Sequence, residues 1–392
     1  SLIESVYNVP NDVSVRTNMD TLWQGWQELS TYPESDAARL AVVVRGQTLT
    51  NSIQQQYKSL RGIGDQINGD IEAVVKQVND LSRQIASVNG EIVRSKGLGD
   101  NPNDLMVRRD LLVEKLSSLI NVTVTQKDSD EFMVHTDGQI IVQGSLARQI
   151  ETVRQLDNNG YGKLMWSDTK LDAEFHGGTL GALVELRDKD IRTEIQSLNT
   201  MALNFADLVN DVHRNAIGKN NTTGLDFFVQ HDFVENVNGN YDRNGDGVED
   251  TSYIFRMTGT NALKMQEQIG LSGTMTINGA SGNIDVAYFS TDTVEDVINR
   301  INDSNGEVKA YLDRNSCLVL KATSSNGMEN PDFVIRHVED SGMFLTGYSG
   351  ILQGSGADNA YDFNRANAVD VLAGAQFAVS PVLNPSAYIE VN

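Results

Sequence analysis

Eight aliphatic residues, Ile67, Ile71, Val74, Val78, Leu81, Ile85, Val88 and Ile92, recur at alternating spacings of four and three. This is a heptad a/d pattern sustained over more than three heptads, with Gln, Asn, Ser, Asp, Glu, Lys and Arg between. A helix with one apolar stripe must bury it against a neighbour. Upstream, Pro33 closes a turn and Ser35-Asp36 supplies capping chemistry. Downstream, Gly97 and Gly99 mark the end. Continuous from Ala37 to Lys96, such a helix is roughly 90 Å long at 1.5 Å per residue. Gly46, Gly62, Gly64 and Gly69 each weaken it by roughly 1 kcal/mol relative to alanine. The expected element is a rod, and a rod is a poor frame for a compact catalytic pocket.

The flanks fit this picture. Residues 1 to 20 carry no strong period and read as extended. A short amphipathic helix is predicted over Met19 to Leu29, with Leu22, Trp23, Trp26 and Leu29 on one side. Trp23, Trp26 and Tyr32 read as core or intramolecular packing, with a subunit contact as the alternative. Asn101-Pro102-Asn103-Asp104 opens a further helix with Leu105, Leu112, Leu116 and Leu119 inward. Strands are expected over Val122–Thr125, Glu131–Thr136 and Gln139–Gln143, with a hairpin turn at Thr136-Asp137-Gly138. After Gly177-Gly178 comes a second heptad helix, carrying Ile191, Ile195, Leu198, Ala202, Phe205, Val209 and Val212. Beyond Ile217 the chain turns rich in Gly, Asn, Asp and Ser and reads as mostly β. Within it lies a compact β/α unit: strands 274–278 and 284–288, helix 293–302, strands 308–312 and 317–323.

The fold class expected is α+β and multidomain. Residues 1–217 form a helical rod domain with a small β-hairpin element near 121–150. Residues 218–271 and 326–392 form a β-rich domain, and 272–325 an inserted β/α module. That module reads as a self-contained appendage whose removal spares assembly. The chain starts without Met and ends abruptly, and it reads as a piece of a longer protein.

Bulk properties narrow the function. The 392 residues carry a net charge of -22, which opposes binding to nucleic acid or to an anionic membrane. No apolar run approaches the ~20 residues of a membrane-spanning helix. Cys317 is the single cysteine, so no intrachain disulfide forms; in its apolar strand it reads as a buried, inert thiol. The five histidines, His135, His176, His213, His231 and His337, show no zinc-ligand spacing. His176-Gly177-Gly178 has no G-x-S-x-G elbow beside it and reads as a turn into a helix. No P-loop or Rossmann fingerprint is present, so an enzyme is not expected.

One motif points to a ligand. Asp242-Arg243-Asn244-Gly245-Asp246-Gly247-Val248-Glu249-Asp250 matches the first part of a calcium loop. Asp242, Asn244, Asp246 and Asp250 would contribute side-chain oxygens and Val248 its carbonyl. Position 12 is Tyr253 rather than the bidentate Glu, and the competing reading is an acidic Asn/Gly turn.

Several stretches, in order, resemble the flagellar hook-associated protein 1 family. They are Val78-Asn79-Asp80-Leu81-Ser82-Arg83-Gln84-Ile85-Ala86-Ser87-Val88-Asn89-Gly90-Glu91-Ile92, and Pro102-Asn103-Asp104-Leu105 through Arg109-Asp110-Leu111-Leu112 to Val124. Gly177-Gly178-Thr179-Leu180-Gly181-Ala182-Leu183 with Arg187-Asp188, and Gly224-Leu225-Asp226-Phe227-Phe228, complete the set. Thr276-Ile277-Asn278-Gly279, Ile301-Asn302 and Leu318-Val319-Leu320 look like the small module inserted in flagellins and filament-cap proteins. The resemblance implies a structural protein at the hook–filament junction of the bacterial flagellum. It implies long terminal helices outside this sequence, export by the flagellar type III apparatus without a cleaved signal, and an extracellular position. It implies self-assembly into a ring, with the hook protein, the second junction protein and an export chaperone as partners. The alternative is a calcium-stabilised surface adhesin or binding module.

Overall fold

The computed structural model describes residues 14–126, 132–154, 160–229, 247–248, 251–323, 333–365, 368–374 and 384–392. The fold is α+β, and the chain divides into two compact units. Unit 1 is built on Gln56–Ile195; unit 2 on Pro10–Gln55 and Gln196–Asn392.

Helix α1 spans Val15–Thr31, and α2 spans Asp36–Gly97, 62 residues without a break. Ser14 caps α1 by accepting from the Thr17 amide at 3.1 Å, so residues 15 to 20 are helical where an extended segment was expected. Local capping chemistry overrides the weak apolar period there. Ser35 Oγ accepts from the Ala38 amide at 3.2 Å, the cap expected for α2. After Gly97 the backbone turns through Gly99 at φ +90°. Helix α3 follows, Asn103–Leu119.

In unit 1 the heptad stripe is the core. Ile67, Ile71, Val74, Val78, Ile85, Val88 and Ile92 are buried against Leu112 and Leu116 of α3 and against the β elements; Leu81 alone is half-buried. Strands β1 (Thr123–Gln126), β2 (Phe132–Thr136), β3 (Gln139–Gln143) and β4 (Leu146–Ala147) form an antiparallel sheet in that order. The β2–β3 turn places Asp137 at φ +43° and Gly138 at φ +79°, both left-handed, as a two-residue hairpin requires. Strands β5 (Ile150–Arg154) and β6 (Gly162–Trp166) make a separate hairpin. Two asparagines of α2 fasten these elements. Asn79 exchanges two 2.8 Å hydrogen bonds with the backbone of Ile150, and Asn89 donates to the Gly144 carbonyl at 2.9 Å.

Helix α4 (Gly178–Glu185) continues through a π-turn, Leu186–Ile191, into α5, Arg192–Arg214. Gly177 at φ +117° and Gly178 at φ +63° make the expected turn into α4. A side chain at Gly178 would strike the backbone of Leu119 and Ile120.

Among the described residues, unit 2 carries two antiparallel sheets. One has the order β10 (Val308–Leu312), β11 (Cys317–Ala322), β7 (Arg256–Ala262). The other runs β13 (Tyr361–Asp362), β12 (His337–Asp340), β8 (Gly273–Gly279), β9 (Gly282–Tyr288). Helix α6 (Val294–Asp303) is held by a capping box between Thr293 and Asp296 and buries Val294, Val297, Ile298 and Ile301. All five elements expected in the β/α unit are present within a residue or two. They do not stand alone, however. Strand β11 pairs with β7, and β8 pairs with β12, both outside 272–325. One core runs through all of them, from Ile254 and Met257 to Val338, Phe344 and Leu372. A short helix α7, Pro385–Tyr388, lies near the end of the chain.

Candidate functional site

Among the described residues no group of three or more His, Cys, Asp or Glu side chains could hold a metal ion. Asp242, Asn244, Asp246 and Asp250 of the calcium-loop motif lie outside the described residues. Val248 is exposed, and Gly247 has φ +87°. That angle fits a sharp turn, which both readings of the motif share. Cys317 is half-buried rather than fully so, because it opens strand β11 directly after the turn from β10; burial followed by the nearby Asp313 pushes its thiol up, away from the nucleophilic form. Among the aromatics, Trp23 and Tyr32 are exposed, at 66% and 63%. Trp23 sits roughly 100° round the helix from the buried Leu22, off the inward side. Trp26 packs as expected, with ring centroids 5.2 Å from Phe227 and 5.9 Å from His213.

The site that organises unit 2 is one the heptad reading missed. On α5 the expected positions Phe205 and Val209 are only partly buried, and Val212 is exposed. The expected Ile191, Leu198 and Ala202 are buried, but beyond them the buried side carries Leu203 and the polar Asp207 and Asn210, with Asn199 beside Leu198. Each polar residue pins a different returning segment. Asn199 Oδ1 accepts from the Ser386 amide at 3.1 Å and from its hydroxyl. Asn210 accepts from the amides of Phe227 and Phe228, each at 2.9 Å, and donates to the Phe228 carbonyl at 2.8 Å. Arg214 donates to Asp226 at 2.9 Å. Phe228 of the pair thus fixed bridges to Val391, and the two rings pack edge-on or tilted among Trp26, Phe205 and His213. Gly46 of α2 has no room for a Cβ against Phe227 and Val391.

Asp207 sits between two cations of the β layer, Arg256 at 3.2 Å and Lys321 at 3.0 Å, with side-chain exposures of 7%, 12% and 16%. Neighbouring Tyr311 is pushed well above the usual tyrosine range by burial, then by Asp207. A desolvated acid facing two cations is held by its partners, and removing it strands both. Asp207→Ala is therefore expected to lower the stability of unit 2 by about 3–5 kcal/mol. Chemical denaturation checks this; a loss below about 1 kcal/mol, the worth of an exposed pair, would show the cluster to be solvated. None of these groups forms a nucleophile–base pair. They are fasteners, and the pattern visible in sequence would have been an Asn/Asp series at i, i+8 and i+11 on the polar flank of the heptad.

Comparison with known proteins places this architecture. Residues 1–228 match the family model described as the flagellar hook-associated protein FlgK helical domain, and residues 274–324 match the flagellin hook IN motif. Flagellar hook-associated protein 1 of Escherichia coli K12 is 31% identical over 225 residues, covering 55% of this chain and 41% of the relative. The protein of the same name from Bacillus subtilis 168 is 27% identical over 326 residues, covering 72% and 63%. The solved structure of the flagellar hook junction protein FlgK from Burkholderia pseudomallei superposes with a TM-score of 0.55 at 19% identity, covering 75% of this chain and 53% of that one. The chain spans about two-fifths of the length of the Escherichia coli relative. With the helical-domain model matched over more than half its length, the chain belongs to the flagellar hook-associated protein FlgK family.

Proposed function

We propose that this chain is a structural subunit of the bacterial flagellum, acting at the junction between hook and filament and catalysing no reaction. The observation that carries this reading is the match of the FlgK helical-domain model over residues 1–228, the part built on the heptad helix. The flagellin hook IN match at 274–324 is independent support from the other half of the chain. In this reading the subunit is exported without a cleaved signal and self-assembles into a ring. It meets the hook protein on one side and the second junction protein on the other, and an export chaperone keeps it from assembling early. A surface adhesin is not favoured, since the relatives matched are hook-associated proteins. No helix among the described residues is long and apolar enough to cross a membrane.

The test is genetic. Removing the gene from its own flagellated host is expected to leave hooks without filaments, with filament protein shed into the medium; restoring it returns swimming. Filaments that stay attached without the gene would refute the junction role.

The calcium loop is a second proposal, resting on the sequence 242–250. Millimolar calcium is expected to raise the melting temperature, because a ligand bound only by the folded state stabilises it. Asp246→Ala is expected to remove that gain. A shift absent in the wild type, or equal in the variant, leaves the plain turn.

A further inference from the structure

Three features of unit 1 meet at one level of α2. Gly62 and Gly69 both face solvent, and a Cβ built on either touches nothing within 4 Å. Packing therefore does not call for glycine there. Each makes local opening of the helix roughly fivefold easier than alanine would, through backbone entropy. Gly64 between them differs, since a Cβ there would collide with the Tyr161 hydroxyl.

The second feature is the π-turn Leu186–Ile191, which faces this stretch: Ile191 Cγ2 lies 3.6 Å from the Cβ position of Gly64. A π-turn holds one residue more than an α-turn and is a recognised origin of helix bending. The third is a set of side-chain tethers. Arg187, 3% exposed, donates to Asn68 Oδ1 at 2.7 Å and pairs with Asp188. Tyr161 donates to Asp65 Oδ1 at 3.0 Å, with the guanidiniums of Arg61 and Arg187 4.7 and 5.5 Å from its ring centre.

When one of two packed helices bends, the other must change its path length to stay in contact. A π-turn is a place where length can change, by passing its spare residue into α-helical pairing. Two dispensable glycines opposite it let the long helix follow. We propose that α2 around Gly62–Gly69 and the π-turn Leu186–Ile191 form a compliant joint, at which the two helices bend together. The tethers keep the two sides in register, because side-chain hydrogen bonds swing where a backbone ladder would break.

The test uses Gly62→Ala with Gly69→Ala in the 392-residue chain, an exposed pair of substitutions that leaves the core untouched. Amide hydrogen exchange over residues 58–72 is expected to slow by about 25-fold, the product of two roughly fivefold effects. The joint makes a further demand: amides of 186–195, which carry no substitution, slow as well, by at least several-fold. A second readout places spin labels at positions 58 and 76 with Cys317 replaced by serine; the distance distribution is expected to narrow in the double variant. Slowing confined to α2 with an unchanged distribution would reduce the glycines to a propensity effect and overturn the joint.

Discussion

Replacing Val78 and Ile85 together by aspartate is expected to abolish the folding of unit 1. Both side chains are fully buried, at 0% exposure, in the stripe that α3 and the β elements cover. Each substitution removes an aliphatic side chain, worth about 1–5 kcal/mol when truncated in a core. Each also places a carboxylate in an apolar core, costing several kcal/mol more or forcing its protonation. The positions are two turns apart and their effects add to a first approximation. The sum reaches the ~5–15 kcal/mol that holds a typical domain together. The expected result is loss of the cooperative melt of this unit and rapid proteolysis across 56–195. Leu81→Gln is the control: Leu81 occupies a heptad position but is only half-buried, beside Asp80, Gln84 and Lys115. It is expected to cost about 1 kcal/mol or less, as for surface changes. If the double aspartate variant melts as the wild type does, the stripe is not the core.

The contrast between Val78 and Leu81 shows how much of the fold was legible. Apolar periodicity marks α2 over Ile67–Ile92 because the signal repeats there for more than three heptads, while capping at Ser35-Asp36 and the glycines Gly97 and Gly99 mark its ends. The Asp137-Gly138 turn was legible for a different reason: two successive left-handed residues leave few sequence choices. What periodicity cannot report is which side of a helix is covered when the cover is polar. On α5 the apolar stripe is buried at Leu198 and Ala202 but becomes the less buried side at Phe205, Val209 and Val212. Asn199, Asp207 and Asn210 go inward because each meets complementary backbone or charge from segments far along the chain. Those partners lie between 17 and 187 residues away for the two asparagines, so no local window contains the reason for their burial. The same limit explains Asn79 and Asn89, whose partners are strand and turn backbone more than fifty residues later. The order of motifs carried the family, whereas the fasteners became visible only when the chain was folded.

Deleting residues 274–324 is expected to unfold the outer part of unit 2, although the sequence presents this stretch as an appendage. A true appendage pairs its strands with one another. Here, among the described residues, the backbone pairing between the two hairpins is one isolated bridge, Gly279 to Gly306, beside the Asn278–Glu307 hydrogen bonds, and each hairpin's sheet is completed by a strand from elsewhere. Hairpin β8–β9 continues into β12, with Ile277 opposite Val338; hairpin β10–β11 continues into β7, with Leu320 opposite Met257. Among the described residues, the deletion would leave β7 without a strand partner and β12 with the two-residue β13 alone. It would also uncover Met257, Ile335, Val338, Phe344 and Tyr361, all at most 2% exposed in the intact chain. Tyr288, whose hydroxyl donates to the buried Asp340 at 2.8 Å, would be lost. Burial first, and that hydrogen bond second, push the Tyr288 hydroxyl up to about 12, so it stays a donor at neutral pH. Asp340 would then keep the backbone donors Gly342 and Leu345. The expected readouts are dye binding to exposed apolar surface, loss of amide protection in β7 and β12, and a fall in denaturant m-value out of proportion to the residues removed, since m tracks the surface buried on folding. Unit 1 should melt as before, because its core shares no residue with this one. Intact protection in β7 and β12 after the deletion would restore the appendage reading and leave the sheet pairings as mere contacts.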